Sequence, residues 1–334
     1  MADTRRDDAP RRILIIKLSA MGDQLFTAAA VTDLKRRWPD AEIDWLVDER
    51  FADIPRMHQH VARVLAIPLK RWSRSLGSLQ SWRALFACIG ALRAHPYDLV
   101  IDGQGLWKSA LCCALARASR RVGFSADACG EAPAARFYDA HFHPAATCHA
   151  VARQRALVAF AADTDAARAV DYGLQARRSP RPSQRVVFLH GVSRDHKLWD
   201  EDHWIALGRR FLEAGWQIDI AWGSDAERQR AERMGAGMGA GAQLLPRLPL
   251  QDWPDYLAGC GMVVGLDTGL THLAAACRTP TLALFTATDP AFFQPAPGYG
   301  VALGGIDVSP TVEQVWQAGM PWRTAACAPD QNGN

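Results

Sequence analysis

A chain of 334 residues is about twice the ordinary single-domain length, so two domains are expected, each large enough to bury a core of its own. With 49% hydrophobic and 22% charged residues the composition is globular, which excludes a disordered or fibrous protein. A formal net charge of +3 is too small to argue for a nucleic-acid-binding face, although it leaves room for a local basic patch.

The segment 1–12 is polar, carries charges of both signs and contains no apolar run of signal-peptide length. No later stretch reaches the roughly 18 apolar residues that a membrane span requires, so a cytoplasmic location is expected. The first apolar run, Ile13–Ile16, reads as a short strand, followed by a turn over Ser19–Asp23 and a helical pattern through Arg37. Further strands are expected at Ile43–Val47 and Leu99–Asp102, each followed by helix-like segments that run to about Ala118. This alternation implies a parallel sheet.

After a helical stretch beginning near His149, the segment 173–184 breaks all periodicity with two prolines and several polar residues. The linker is expected at 179–184, separating domains 1–178 and 185–334. The pattern then restarts, with strands expected at Val186–Leu189, Ile218–Trp222, Met262–Gly265 and Thr281–Phe285 and helices from Asp202, Ala226, Asp252 and Leu270. The glycine-rich stretch Gly235–Gly241 follows a helix instead of a strand, so it is expected to be a loose loop and not a dinucleotide fingerprint. Eight cysteines show no C-x-x-C pair and several sit in apolar runs, which points to buried reduced thiols.

Two open α/β domains are expected to face each other across a cleft, and ligands in such sheets bind beyond the carboxyl ends of strands. In Asp267-Thr268-Gly269-Leu270-Thr271-His272 a strand gives way to a small-residue helix whose first N–H groups suit a phosphate. Gly269 allows close backbone approach, while Thr271 and His272 add a hydroxyl and an imidazole. The alternative is a plain helix cap. On the loop after His190, Lys197 can set a point charge on a diphosphate, or it is simply solvated beside Asp195. After the next strand, Glu227 in a first helical turn can accept ribose hydroxyls, or it only answers the helix dipole.

In the N-terminal half, Asp23 stands at a helix start as a candidate general base, the alternative being an N-cap. Lys70, Arg71 and Arg74 interleave with Trp72 and suit an anionic acceptor, or else form a solvated turn. The D-x-D Asp163-Thr-Asp165 lies away from any strand end and is assigned no metal.

Taken together, Lys17-Leu-Ser-Ala-Met-Gly-Asp23, Asp102-Gly-Gln-Gly-Leu-Trp-Lys108, Asp195-His-Lys197-Leu-Trp199, Trp222-Gly223 and Asp267-Thr-Gly-Leu-Thr-His272 resemble the ADP-heptose:lipopolysaccharide heptosyltransferases, glycosyltransferase family 9. The resemblance spans roughly 12–304 with motif order kept. It implies an α/β GT-B architecture, two Rossmann-like doubly wound parallel-sheet domains, the first for the acceptor and the second for the nucleotide sugar. It implies inverting transfer of L-glycero-D-manno-heptose from ADP-heptose, a substrate, to a Kdo hydroxyl of Kdo-lipid A, with no cofactor and no metal.

The family's catalytic aspartate falls on Asp23, its donor-binding positions on Ser193, Lys197, Glu227, Asp267, Thr268 and Gly269, and its basic acceptor-binding segment on Lys70, Arg71 and Arg74. Lys197 is also expected to act in catalysis, Trp222, Leu270 and His272 to join the donor site, and Gln104 to join the acceptor site. The implied partners are a nucleotide-sugar donor and an anionic lipid-linked acceptor, reached peripherally at the cytoplasmic face of the inner membrane. The chain departs from the pattern at Val192-Ser193, where similar enzymes carry two threonines, and at Gly130-Glu131-Ala132-Pro133, where they carry an arginine ahead of Glu-Pro.

Three rivals stay open: a nicotinamide-dependent oxidoreductase, which the lack of a G-x-G-x-x-G after a strand counts against; a non-catalytic sugar-nucleotide sensor; and a related transferase acting on a protein or secondary metabolite. Titration with NADH, donor binding without turnover, and acceptor assays discriminate among them.

Overall fold

The run Ile13-Leu14-Ile15-Ile16 is apolar at every position, a pattern that suits a strand covered on both faces. In the computed structural model these residues are buried in β1 (Arg12–Ile16), an inner strand of a six-stranded parallel sheet. The structure describes residues 9–69, 79–145, 148–165, 169–174, 183–192 and 194–326, and the chain divides into two units, Met1–Leu174 and Gln175–Asn334.

In the first unit β1 is followed by α1 (Met21–Arg37), β2 (Glu42–Asp48), α2 (Asp53–Met57), β3 (Val61–Ile67), α3 (Leu79–Arg93), β4 (Tyr97–Asp102), α4 (Trp107–Leu115), β5 (Ala118–Phe124), β6 (Ala140–Phe142) and α5 (Ala150–Ala161). The strand order β3-β2-β1-β4-β5-β6 places the topological switch between β1 and β4, where an open sheet of this kind forms its ligand crevice. Helix α1 ends in Lys35, Arg36 and Arg37, which complement the negative end of its dipole. Its small residues Ala28, Ala29 and Ala30 are buried, and it packs on α5, to which a buried pair, Arg155 Nε to Asp33 Oδ2 at 2.6 Å, also ties it.

The second unit repeats the plan with β7 (Ser183–Leu189), α6 (Glu201–Glu213), β8 (Gln217–Ile220), α7 (Asp225–Met238), β9 (Ala242–Leu244), α8 (Trp253–Ala258), β10 (Cys260–Leu266), α9 (Gly269–Ala276), β11 (Thr281–Phe285), α10 (Pro290–Phe293), β12 (Val301–Gly304), α11 (Val312–Ala318) and α12 (Met320–Ala326). Its order is β12-β11-β10-β7-β8-β9, so the switch falls between β7 and β10. Every residue of β10 is buried. One side of the sheet is closed by aromatic packing, with Phe188 and Trp204 ring centroids 4.9 Å apart and Trp199 and Trp204 edge to face at 5.1 Å.

Several expectations need correction. Most of the segment 179–184 lies outside the described residues, and Ser183 and Gln184 open β7, because backbone pairing with β10 begins as early as Ser183. The strand expected to reach Trp222 stops at Ile220, opposite Leu244, the last residue of its partner β9. Gly235 and Gly237 are not in a loose loop but in the last turns of α7, and a Cβ at Gly237 would lie 2.6 Å from Ile205. Gly237 lets α7 approach α6 closely. Only Gly239 and Gly241, with φ of 102° and 105°, occupy the left-handed region of a turn. Among the described cysteines none is bonded to another; Cys113 and Cys260 are buried, and the other five are half-buried.

Candidate active site

In the second unit the residues after β7, β10 and β11 converge on one carboxylate. Asp267 follows β10, and its Oδ2 accepts from Lys197 Nζ at 2.9 Å and from the Thr288 hydroxyl at 2.7 Å. Its Oδ1 lies 3.0 Å from Nε2 of His272, one turn into α9. Burial works to raise the pKa of the Asp267 carboxyl, but the hydrogen bond and charge of His272, followed by Lys197 and Thr288, outweigh it and hold the group well below the ordinary carboxylate range. With its side chain 10% exposed and three partners in place, Asp267 is held as an anion that orients Lys197. The turn carrying Lys197 is anchored as well, since the Thr286 hydroxyl donates to the Lys197 carbonyl at 2.8 Å.

Thr268 is the N-cap of α9, and its side chain makes no capping hydrogen bond. The first backbone bond across the helix start is His272 N–H to Thr268 O, so the amides of Gly269, Leu270 and Thr271 stand ahead of it at the positive end of the dipole. Lys197, one of whose three donors is used by Asp267, adds a formal charge from the loop after β7. This combination suits a diphosphate. The hydroxyl expected from Thr271, however, is buried and donates to the Leu266 carbonyl at 2.6 Å. Thr271 pins α9 to β10, where Gly265 makes room for it: a Cβ there would lie 2.3 Å from the hydroxyl.

Glu227 completes a capping box at the start of α7, accepting from the Ser224 N–H at 3.3 Å while Ser224 Oγ accepts from its own N–H, and it accepts from the Gly223 N–H at 2.6 Å as well. The same carboxylate sits against Gly191, whose absent side chain would lie 2.7 Å from its Cδ. Sheet topology thereby joins Glu227 to the loop after β7. Trp222 donates through Nε1 to the Leu245 carbonyl at 2.8 Å, and the Arg228 guanidinium lies 5.5 Å from its ring centroid. Ser193 lies outside the described residues.

In the first unit Asp23 is the third residue of α1 and not its N-cap; its Oδ2 accepts from the Ala20 N–H at 2.9 Å. The side chain is 39% exposed, and Lys17 Nζ stands 3.9 Å from Oδ1, beyond hydrogen-bond reach. Lys17 is buried and donates to the Gly103 carbonyl at 3.0 Å, which also accepts from Gln154 Nε2 at 2.9 Å. Desolvation lowers the Lys17 pKa, against the opposing charges of Asp23 and Asp102.

Gln104, expected at the acceptor, turns its Oε1 onto the N–H groups of Leu18 and Ser19, both at 3.1 Å. It positions the turn that carries Asp23. Below it, buried Asp102 accepts from the amides of Gln104 and Gly105 and from the Tyr138 hydroxyl at 2.7 Å. That ring fits because Gly123 carries no side chain, a Cβ there falling 2.3 Å from it. Glu131, in the segment that departs from the family pattern, accepts from the Trp107 N–H at the start of α4 at 2.5 Å. Lys70, Arg71 and Arg74 lie outside the described residues. Among the described residues no three His, Cys, Asp or Glu side chains are grouped so as to hold a metal.

The sequence reading passed over Thr286, Thr288, Lys17 and Gln154. The first two could have been found by the rule that picked out Asp267, since they follow the strand Thr281–Phe285. Lys17 likewise follows β1 directly. Gln154 carries no such signal, because it comes from the middle of a helix.

Residues 85–315 match the model of glycosyltransferase family 9 (heptosyltransferase). The chain is 41% identical over 288 residues to lipopolysaccharide heptosyltransferase 1 of Pseudomonas aeruginosa, covering 84% of this chain and 80% of the relative. It is 36% identical over 294 residues to the Escherichia coli K12 protein of the same name, covering 86% and 91%. Among solved structures, E. coli heptosyltransferase WaaC with ADP superposes with a TM-score of 0.85 at 33% identity, covering 93% of this chain and 99% of that one. The same enzyme with ADP-2-deoxy-2-fluoro heptose gives 0.82 at 34% identity, covering 92% and 98%.

Proposed function

This chain belongs to glycosyltransferase family 9, the heptosyltransferases, and on that premise we propose that it transfers L-glycero-D-manno-heptose from ADP-heptose to a Kdo hydroxyl of Kdo-lipid A in lipopolysaccharide inner-core assembly. Its two doubly wound units form the GT-B architecture. The observation that carries the reading is the cluster of Lys197, Asp267, His272 and Thr288 at the start of α9, a fixed cation beside a helix N-terminus. The WaaC structures with ADP and with an ADP-heptose analogue support it.

In the proposed reaction the carboxylate of Asp23 takes the proton of the acceptor hydroxyl as that oxygen attacks the anomeric carbon. ADP leaves from the opposite face, so one displacement inverts the configuration. Lys197 and the amides of Gly269 and Leu270 stabilise the charge growing on the diphosphate, the task that a metal ion performs in other transferases. Glu227 accepts ribose hydroxyls, and Thr268 and Ser193 add hydroxyls to the donor site. Lys70, Arg71 and Arg74 receive the anionic acceptor and bring the protein peripherally to the cytoplasmic face of the inner membrane. Among the described residues no helix is long and apolar enough to cross a membrane.

Incubating the protein with ADP-heptose and Kdo-lipid A, with mass spectrometry of the lipid, tests this. The expected product is lipid heavier by one heptose, formed only when both substrates are present and unaffected by chelators. ADP-heptose turnover that requires a different acceptor would overturn the acceptor assignment, and donor binding without any turnover would favour a sensor.

A further inference from the structure

The outward surface of α3 and α4 is apolar where a water-facing helix is ordinarily charged. Along α3 the exposed positions include Trp82, Arg83, Phe86, Ala87, Gly90 and Ala91, recurring at helical spacing. Trp82 is 48% and Phe86 66% exposed, their rings 6.4 Å apart. On α4, Trp107 and Leu111 are 48% and 45% exposed, one turn apart, with exposed Lys108 between them. The two helices touch, and Cys88 of one and Cys112 of the other pack against the same core. Single exposed apolar side chains are ordinary, but four large ones grouped on adjoining helices call for a covering surface.

Charge says what that surface is. Neither 54–97 nor 103–126 contains an Asp or a Glu, while both carry lysine and arginine, including Arg83 and Lys108. Glu131, the carboxylate at the start of α4, is engaged by the Trp107 amide. Tryptophan and phenylalanine among cations, on two helices that carry no acidic residue of their own, match the headgroup region of an anionic bilayer, where aromatic rings sit at the interface and cations meet lipid phosphates.

We propose that the α3–α4 face is the surface by which this protein docks on anionic phospholipid. The proposal names the membrane contact of the lipid-acceptor reading and rests on that reading for its purpose. Its test uses no substrate, so the two can fail separately.

The full chain is to be mixed with phosphatidylcholine vesicles, with or without phosphatidylglycerol, and followed by sedimentation and tryptophan fluorescence. The wild type is expected to bind the anionic vesicles with a blue shift and to leave the neutral ones largely free. The pair Trp82→Ser and Phe86→Ser should weaken binding about tenfold or more. Arg83→Gln and Lys108→Gln should each weaken it about fivefold at low salt. All these variants should keep the wild-type melting temperature and transfer to detergent-dispersed acceptor at the wild-type rate. Failure of the wild type to bind anionic vesicles, or aromatic variants that bind like the wild type, overturns the proposal. Vesicle binding without heptose transfer leaves it standing and removes only the acceptor assignment.

Discussion

Two aspartates, one in each unit, stand just beyond a strand and near the start of a helix, yet their surroundings are opposite. Asp267 is nearly enclosed and has a lysine, a hydroxyl and an imidazole on its two oxygens. Asp23 is open to solvent, spends one oxygen on a backbone amide and keeps the other 3.9 Å from a buried lysine. A carboxylate saturated by its own protein is poorly placed to receive a proton, but it holds a cation in a fixed position at low reorganisation cost. A carboxylate with an unused oxygen facing water can take a proton from a substrate. Similar sequence positions therefore give a scaffold in one unit and a candidate base in the other, and the neighbours decide which.

The sharpest test of that contrast is Asp23→Asn, for which kcat is expected to fall about 10³-fold with the dissociation constant of ADP unchanged. Titration calorimetry with ADP beside single-turnover transfer separates the two quantities, and a weakened ADP affinity would place Asp23 with the donor instead. Next comes Lys197→Met, expected to lower kcat about 10²-fold and to weaken ADP binding as well, since the charge it supplies faces the diphosphate throughout. Loss of kcat alone would break the assignment of Lys197 to the bound donor.

Gln104→Ala removes the acceptor for two amides of the Asp23 turn and should cost about tenfold in kcat with little change in acceptor KM. A rise in KM at constant kcat would restore Gln104 to acceptor binding. Glu227→Ala should lower the stability of the second unit by about 1 kcal/mol through the lost capping box, read as a denaturation midpoint.

The smallest effect is a pH dependence. Because the folded Asp267 has a depressed pKa, its contribution to stability is present above the unfolded value of about 4. It is lost as pH falls from there through the folded value, since the unfolded chain takes up the proton first. The stability difference between wild type and Asp267→Asn should therefore hold constant from neutral pH down to about 5 and shrink below about 4.

Much of this molecule was readable from local pattern alone. The inner strands β1, β7, β10 and β11 were foreseen because buried parallel strands are continuous apolar runs, and Asp23, Lys197 and Asp267 were picked out as candidates because ligand residues are sought beyond such strands. Strand β5, with the sequence Ala-Ser-Arg-Arg-Val-Gly-Phe, has no such run; it exists because β4 and β6 offer hydrogen bonds on its two sides. Gly237 of α7 was misread for a similar reason, because its use lies in the approach of another helix, where Ile205 stands.

Residue type and spacing determined which side chains stand at strand ends. Three-dimensional packing decided what each one does there. It turned Thr271 inward to a carbonyl, set Gln104 under the Asp23 turn, and brought Thr288 and Lys197, 91 residues apart, onto one carboxylate. The hydrogen bonds of Gln104 and Lys197 are made by residues distant in the chain, so no short window of sequence contains both partners.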